Sequence, residues 1–251
     1  MEATEINAAI DRFAAALEGA LGDRLVAVLV YGSLAKGGYD PRTSDHNVCI
    51  ALRDGSASEL RDVARTMREH RPSRRTTLLI LTAEELERAR DVFSLKLLDL
   101  SRHHRLVCGS AAGLQGIAPD AAHRARDCEQ QLRGLAIRGR RLFLRGTSNL
   151  DLLCTNLVAT FTGLIPPLAG LVELLGEPFP KLEQDVLARG CALLDTDPAP
   201  LLELRRWKRE PDYVPAESAV NGVLDGLMHL IHVAAVRADA LHAEHGPEGA
   251  A

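Results

Sequence analysis

The hydrophobic positions of this chain follow two rhythms, and the change between them falls near residue 110. Residues 3 to 21 place Ile6, Ala9, Ile10, Phe13, Leu17 and Leu21 three or four apart, which predicts an amphipathic helix ended by Gly22-Asp23. Val26, Val28 and Val30 lie in an almost unbroken apolar run, the pattern of a strand buried on both faces. A second strand opens with Ser44-Asp45-His46-Asn47-Val48-Cys49-Ile50; its alternation puts Asp45 and Asn47 on one face, His46 and Val48 on the other. Asp54-Gly55 turns the chain into a helix with Leu60, Val63, Ala64 and Met67 on one side, stopped at Arg71-Pro72. TTLLIL, residues 76 to 81, reads as a third strand, and Thr82-Ala83-Glu84-Glu85 as a capping box that opens a short helix. Phe93 to Leu100 and His104 to Val107 read as two further strand-like pieces. Strands alternating with helices imply crossover connections and a mixed sheet.

From Ala118 the period lengthens. Helices are predicted over about 120–145, 148–175 with a break or kink at Pro166-Pro167, 181–194, 198–208 and 216–243, with HGPEGAA as a frayed end. GSAAGLQGIAP, Gly109 to Pro119, is the linker candidate. The expected organisation is an α/β (α+β) domain with a small mixed sheet over residues 1–110, followed by an all-α helical-bundle domain over 118–245. No internal repeat is visible.

Composition narrows the partners. The 251 residues carry 30 Lys+Arg against 34 Asp+Glu, a net charge of −4, so no global basic field draws the chain to nucleic acid. Five cysteines form no C-x-x-C pair and sit mostly in apolar contexts, as buried thiols in a reducing compartment. The start, MEATEINAAIDRF, lacks signal-peptide form, and Pro166-Pro167 cuts the longest apolar stretch of the second half. The expectation is a cytoplasmic protein with no membrane partner; oligomeric state is not readable.

Chemistry concentrates between Val26 and Leu52, VAVLVYGSLAKGGYDPRTSDHNVCIAL. Gly32 lets a backbone or a phosphate approach closely, and Ser33, capping a short helix from Leu34, would leave free N–H groups for an anion. Lys36 either reaches a triphosphate from this loop or is an ordinary exposed lysine. Asp45 supplies a hard oxygen ligand of the kind Mg²⁺ prefers; Asn47 supplies a carbonyl oxygen without charge. His46 points away from Asp45 and is expected in packing. His103-His104 lacks the spacing of a metal pair. Ser33 has no nucleophile elbow around it, which excludes a hydrolase reading.

Gly32-Ser33, the loop after it and Asp45-x-Asn47 on the next strand resemble the signature of the polymerase-β-type nucleotidyltransferases, including the aminoglycoside nucleotidyltransferases. The likeness is tight over residues 24 to 53 and looser through DVFSLKLLDLSRHHRLVCG to Gly109. Asp45 matches the family's first metal-binding aspartate, and Asn47 stands where a second would be. The resemblance implies a Mg²⁺-dependent transfer of a nucleoside monophosphate from an NTP to a small-molecule or macromolecular acceptor. Gly32 and Ser33 (with Lys36) would bind the nucleotide, Asp45 and Asn47 the metal. The family also uses a third acid; TTLLIL has none, so Asp99 is the candidate, as acid or base, its other reading being a salt-bridge partner. The alternative function is a catalytically impaired protein of this fold that binds nucleotide or a protein partner, favoured by Asn47.

Seven arginines mark the helix near 120–145, with Arg126, Arg133 and Arg140 seven apart on one stripe. Either the stripe binds phosphates or it is a solvated face paired with acids such as Asp127 and Glu129, and the second is expected. Trp207 among Arg205, Arg206 and Lys208 is equally open.

Overall fold

The valine-rich run becomes β1 (Leu25–Tyr31), the inner strand on which the first half of the chain is built. With β2 (His46–Leu52), β3 (Thr76–Thr82) and β4 (His104–Gly109) it forms a four-stranded sheet in the order β3-β2-β1-β4. β2 and β4 run antiparallel to β1, whereas β3 is parallel to β2, so the sheet is mixed as expected. The computed structural model describes residues 1–88, 94–115 and 120–245. By their internal contacts they fall into two units, Met1–Ala118 and Pro119–Ala251.

The unbroken apolar pattern of β1 and β2 has a simple cause: both faces of the sheet are covered. Val28, Val30, Val48, Ile50 and Leu52 pack on α1 (Ala3–Leu21) and on Val63 of α3 (Ala57–His70). Between β1 and β2 lies the four-residue helix α2 (Ser33–Lys36). On the opposite face Ala27, Leu29, Cys49 and Ala51 meet Leu86 of α4 (Ala83–Arg88) and Leu97 and Leu100 of α5 (Ser94–Arg102). Each fully buried aliphatic side chain contributes about 1.5–3 kcal/mol, so the two faces hold the strands from both sides. The parallel β2–β3 pair requires a crossover, and α3 supplies it.

Two expectations change. Residues 94–102 are the helix α5, not a strand; Phe93 lies outside the described residues. On α3 the buried face is Glu59, Val63 and Thr66, while Leu60 is exposed. The rotation follows from the capping box. Ser56 N–H donates to Glu59 Oε2 at 2.8 Å and Glu59 N–H to Ser56 Oγ at 3.3 Å, which turns Glu59 inward. The box foreseen at Thr82 forms with Glu85.

The second unit is helical: α6 (Ala121–Gly146), α7 (Leu150–Leu174), α8 (Glu183–Leu193), α9 (Ala199–Arg209) and α10 (Glu217–His245). Asp120 and Asn149 cap α6 and α7 through the N–H groups of His123 and Leu152. α6 packs on α7 and α10, and Gly139 permits the approach: a Cβ there would lie 2.6 Å from Met228 Cε and 3.1 Å from Thr160 Cγ2. The break foreseen at Pro166-Pro167 is absent, and α7 runs through both prolines. The carbonyls that lose a helical donor there are those of Thr162 and Gly163, both on the exposed side where water can replace it. α7 and α10 are therefore long and apolar enough to cross a membrane. Their apolar faces carry Leu157, Phe161, Leu164, Leu227 and Ile231, all buried within this unit. Most of the linker candidate's second half, 116–119, and the tail after His245 lie outside the described residues.

Candidate functional site at the carboxyl end of strand β1

β1 stops at Tyr31 because Gly32 leaves the strand with φ 72° and ψ −151° to become the N-cap of α2. No side chain caps this helix; Ser33, expected to do so, is its first residue. The Ser33 carbonyl accepts N–H groups from Gly37 at 3.1 Å and Gly38 at 3.0 Å, and Gly37 ends the turn in the left-handed region. A Cβ on Gly32 would come within 2.6 Å of Asn47 Nδ2, so this position needs glycine for its backbone angles and for the side chain beside it. Asn47 faces Tyr31 across the β1–β2 ladder. Gly32 and Asn47 are thus brought into one place.

Lys36 and Asp99 are brought together as well. Lys36 Nζ lies 2.6 Å from Asp99 Oδ1, and His103 Nδ1 lies 3.1 Å from the same oxygen. Asp99 reaches Lys36 from α5, and the i, i+4 spacing that joins it to His103 exists because the segment is helical. Tyr31 sits within the field of this carboxylate; burial, then Cys49 and Asp99, push its hydroxyl up to about 12. Burial also pushes the Cys49 thiol up to about 12, with Lys96 opposing. Both groups are protonated at neutral pH.

Asp45 differs from the other candidates. The ladder begins at His46, whose N–H donates to Arg75 O at 3.0 Å, so Asp45 precedes the strand and is exposed. Asn47 is half-buried, and its partner on β3 is Thr77, which carries no carboxylate.

His46 takes the packing role foreseen for it. It is 1% exposed, with Nε2 at 3.0 Å from Tyr39 Oη and Nδ1 at 2.5 Å from Ser73 Oγ. Burial, then the Arg75 guanidinium, hold it below its usual pKa, and Asp45 acts the other way. The Tyr39 hydroxyl also reaches the Met1 carbonyl at 3.0 Å. Arg75 donates to the Pro41 carbonyl, and Asp40 and Ser44 close the loop with an N–H to Oγ bond of 2.9 Å. Loop 38–44 is thereby anchored to β2 and to the turn before β3. Sequence reasoning missed His103 and Arg75 at this end of the sheet. The His103 signal was its spacing from Asp99; Arg75 gave none.

No family model matches the chain, and no curated protein matches it. Among solved structures, spectinomycin adenyltransferase AAD(9) from Enterococcus faecialis, crystallised with ATP and spectinomycin, aligns with a TM-score of 0.56 at 13% identity. The alignment covers 90% of this chain and 99% of that one. The fold is nucleotidyltransferase-like. In this nucleotidyltransferase-like fold the mixed sheet and the helical region that follows both have counterparts in the enzyme.

The donor set at the turn can be tested for a divalent metal. Among the described residues no three His, Cys, Asp or Glu side chains form a metal cluster. What remains is hard oxygen: the exposed Asp45 carboxylate and the Asn47 amide oxygen. Mg²⁺ keeps several waters and is commonly held by one or two carboxylates plus substrate phosphates. By chemistry alone, these donors are of the kind that holds a cation whose other ligands are substrate phosphates and water.

Proposed function

We propose that this chain is a nucleotidyltransferase that moves a nucleoside monophosphate from an NTP to a hydroxyl of a small acceptor. The observation that carries the reading is the convergence of Gly32, Asn47, Lys36 and Asp99 at one end of the sheet, through the Gly32–Asn47 approach and the Lys36–Asp99 pair. The likeness to an adenyltransferase crystallised with ATP and spectinomycin supports the same class of substrates. Gly32 admits a phosphate close to backbone, and Ser33 and Lys36 hold it by hydrogen bonding and charge. Asp45 and Asn47 would hold a Mg²⁺ ion that offsets the charge of the phosphates. Lys36, drawn to the phosphates, leaves Asp99, whose oxygen then takes the proton of the acceptor hydroxyl.

The test is release of pyrophosphate from each NTP in the presence of a panel of hydroxylated acceptors, with Asp45→Asn and Asp99→Asn beside the parent. Release that depends on acceptor and falls in both variants supports the reading. NTP binding without release by any acceptor favours a second reading, a nucleotide-binding protein impaired in transfer. Two observations support that second reading: Asn47 replaces a carboxylate, and Asp99 is already neutralised by Lys36. Absence of NTP binding would defeat both.

A further inference from the structure

The second half of α6 carries positive charge that no acid of the same helix segment offsets. Arg133 is tied to Glu129 at 2.5 Å and lies 3.5 Å from Asp239, the pairing expected of a solvated face. Beyond it the helix reads IRGRRLFLRG, with no acid between Glu129 and Asp151. Among the described residues, Arg138, Arg140, Arg141 and Arg145 make no ion pair, in a chain that has more acids than bases. In the midst of them stand two large aliphatic side chains, Ile137 at 66% and Leu144 at 72% exposure.

Their spacing gives the face a form. Ile137 and Leu144 are two turns apart and lie on one line along the helix. At 100° per residue, Arg133 and Arg140 fall on one side of that line, and Arg141 and Arg145 on the other. An apolar line at seven-residue spacing with charge along both margins is the seam of a two-helix contact, in which the flanking charges choose the partner. All the charges here are positive, so the complementary strip is acidic. The composition disfavours other anions. A single-stranded nucleic acid is held by aromatic platforms, and no Phe, Tyr or Trp of this helix is exposed, Phe143 being half-buried. A lipid surface needs a broader apolar face than two aliphatic residues separated by arginines.

We propose that this face of α6 is a docking surface for an acidic amphipathic helix of a partner protein, whose aliphatic residues cover Ile137 and Leu144 while its glutamates or aspartates meet Arg140, Arg141 and Arg145. The surface is independent of the proposed transfer chemistry and stands if that reading fails.

The probe is a fluorescent synthetic helical peptide with leucine at the seam positions and glutamate at the flanking ones. Binding to the full chain is followed by anisotropy at low and high salt. Salt-sensitive binding is expected, weakened about tenfold by Ile137→Asp and by Arg140→Glu/Arg141→Glu. Leu202→Asp, at an exposed leucine of α9, is expected to leave it unchanged. Melting curves of all variants should coincide, since these side chains are on the surface. A peptide with lysine at the flanks should not bind. The proposal is overturned if the acidic peptide fails to bind, or if the Leu202 variant weakens binding as much as the Ile137 variant. It is also overturned if an RNA hairpin or phosphatidylglycerol vesicles bind this face more tightly than the peptide. Self-association of the chain that disappears with Ile137→Asp would overturn it too, by making a second copy the occupant.

Discussion

His46 and Asn47 leave β2 in opposite directions, and the two sides they face are built differently. Around His46 the ring nitrogens are both taken, by Tyr39 and Ser73, and Arg75 holds the loop that Tyr39 belongs to. Around Asn47 the backbone is bare at Gly32, Asp45 two residues earlier is exposed, and Lys36 pairs with Asp99 across two separate elements. The first side is closed by hydrogen bonds that ligand binding would have to break. The second is the side on which the proposed nucleotide site lies, with the Lys36–Asp99 pair beside the glycine turn. On the proposed reading, two adjacent residues divide one strand end between holding the loop and meeting a ligand.

Substitutions should separate the two sides. The largest effect is expected from Gly32→Val. The new side chain meets Asn47 and needs a φ that a β-branched residue avoids, at a cost of about 1–3 kcal/mol, with the fold retained. NTP binding should fall by about a hundredfold or more, as calorimetry with ATP and GTP would show; unchanged affinity in a folded variant would remove the turn from the site. Next comes His46→Ala, which leaves a cavity and removes one hydrogen bond from each of two hydroxyls. A loss of about 2–3 kcal/mol in denaturant melts is expected, with NTP affinity kept within about twofold. Equal losses in stability and affinity would erase the division just drawn.

His46 also predicts a pH effect. Its folded pKa lies below the ordinary 6.5, so below that value the unfolded chain takes up a proton that the folded chain resists. Stability should therefore decline as pH falls below about 6.5 and through the folded pKa, and the decline should be shallower in His46→Gln. An unaltered pH profile in that variant would assign the decline to other groups.

Asn47→Asp works on the other side and in the other direction. A second carboxylate beside Asp45 should tighten Mg²⁺-dependent ATP binding about tenfold, or about 1.4 kcal/mol, and lower metal-free stability slightly through repulsion. Identical Mg²⁺ dependence in the two proteins would defeat the metal assignment. The smallest effect is expected from Lys36→Met. The pair with Asp99 is 19% and 22% exposed, so its loss should change stability by about 1 kcal/mol and NTP affinity severalfold. Binding that is indifferent to Lys36 would leave the pair a purely structural bridge.

Most of the elements were legible because their burial is regular. β1 and β2 announce themselves as apolar runs covered on both faces, and α6 through α10 by long three-and-four-residue periods, three of them opened by Asp120, Asn149 and Pro198. α5 was not legible, since Leu95 and Leu97 alternate like a strand while Leu97, Leu98 and Leu100 bury like a helix. The Asp99–His103 spacing carried the helical signal instead. The position of Asp45 was missed for a related reason: alternation continues past the point where hydrogen bonding to Arg75 starts the strand. Of the site, local motifs exposed Gly32, Ser33 and Asn47. The Lys36–Asp99 pair joins segments on either side of β3, and no local pattern could show it.

The strand order sets the sequence in which the site can assemble. β1 and β2 are joined by a short connection and can close early, whereas β4 reaches β1 only after α3, β3, α4 and α5 have been passed. Gly109 allows that late closure to be tight: a Cβ there would lie 2.1 Å from the Val26 carbonyl oxygen. Asp99 and His103 arrive with the segment that leads into β4, so the contact with Lys36 is made when the sheet is complete. Pulsed hydrogen exchange during refolding should protect Val48 and Ile50 before Leu106 and Cys108; protection in the reverse order would refute this sequence. A chain that has closed only its first hairpin would own the glycine turn but not the carboxylate opposite it. On the proposed reading, it would present a place for phosphate before it could move a proton.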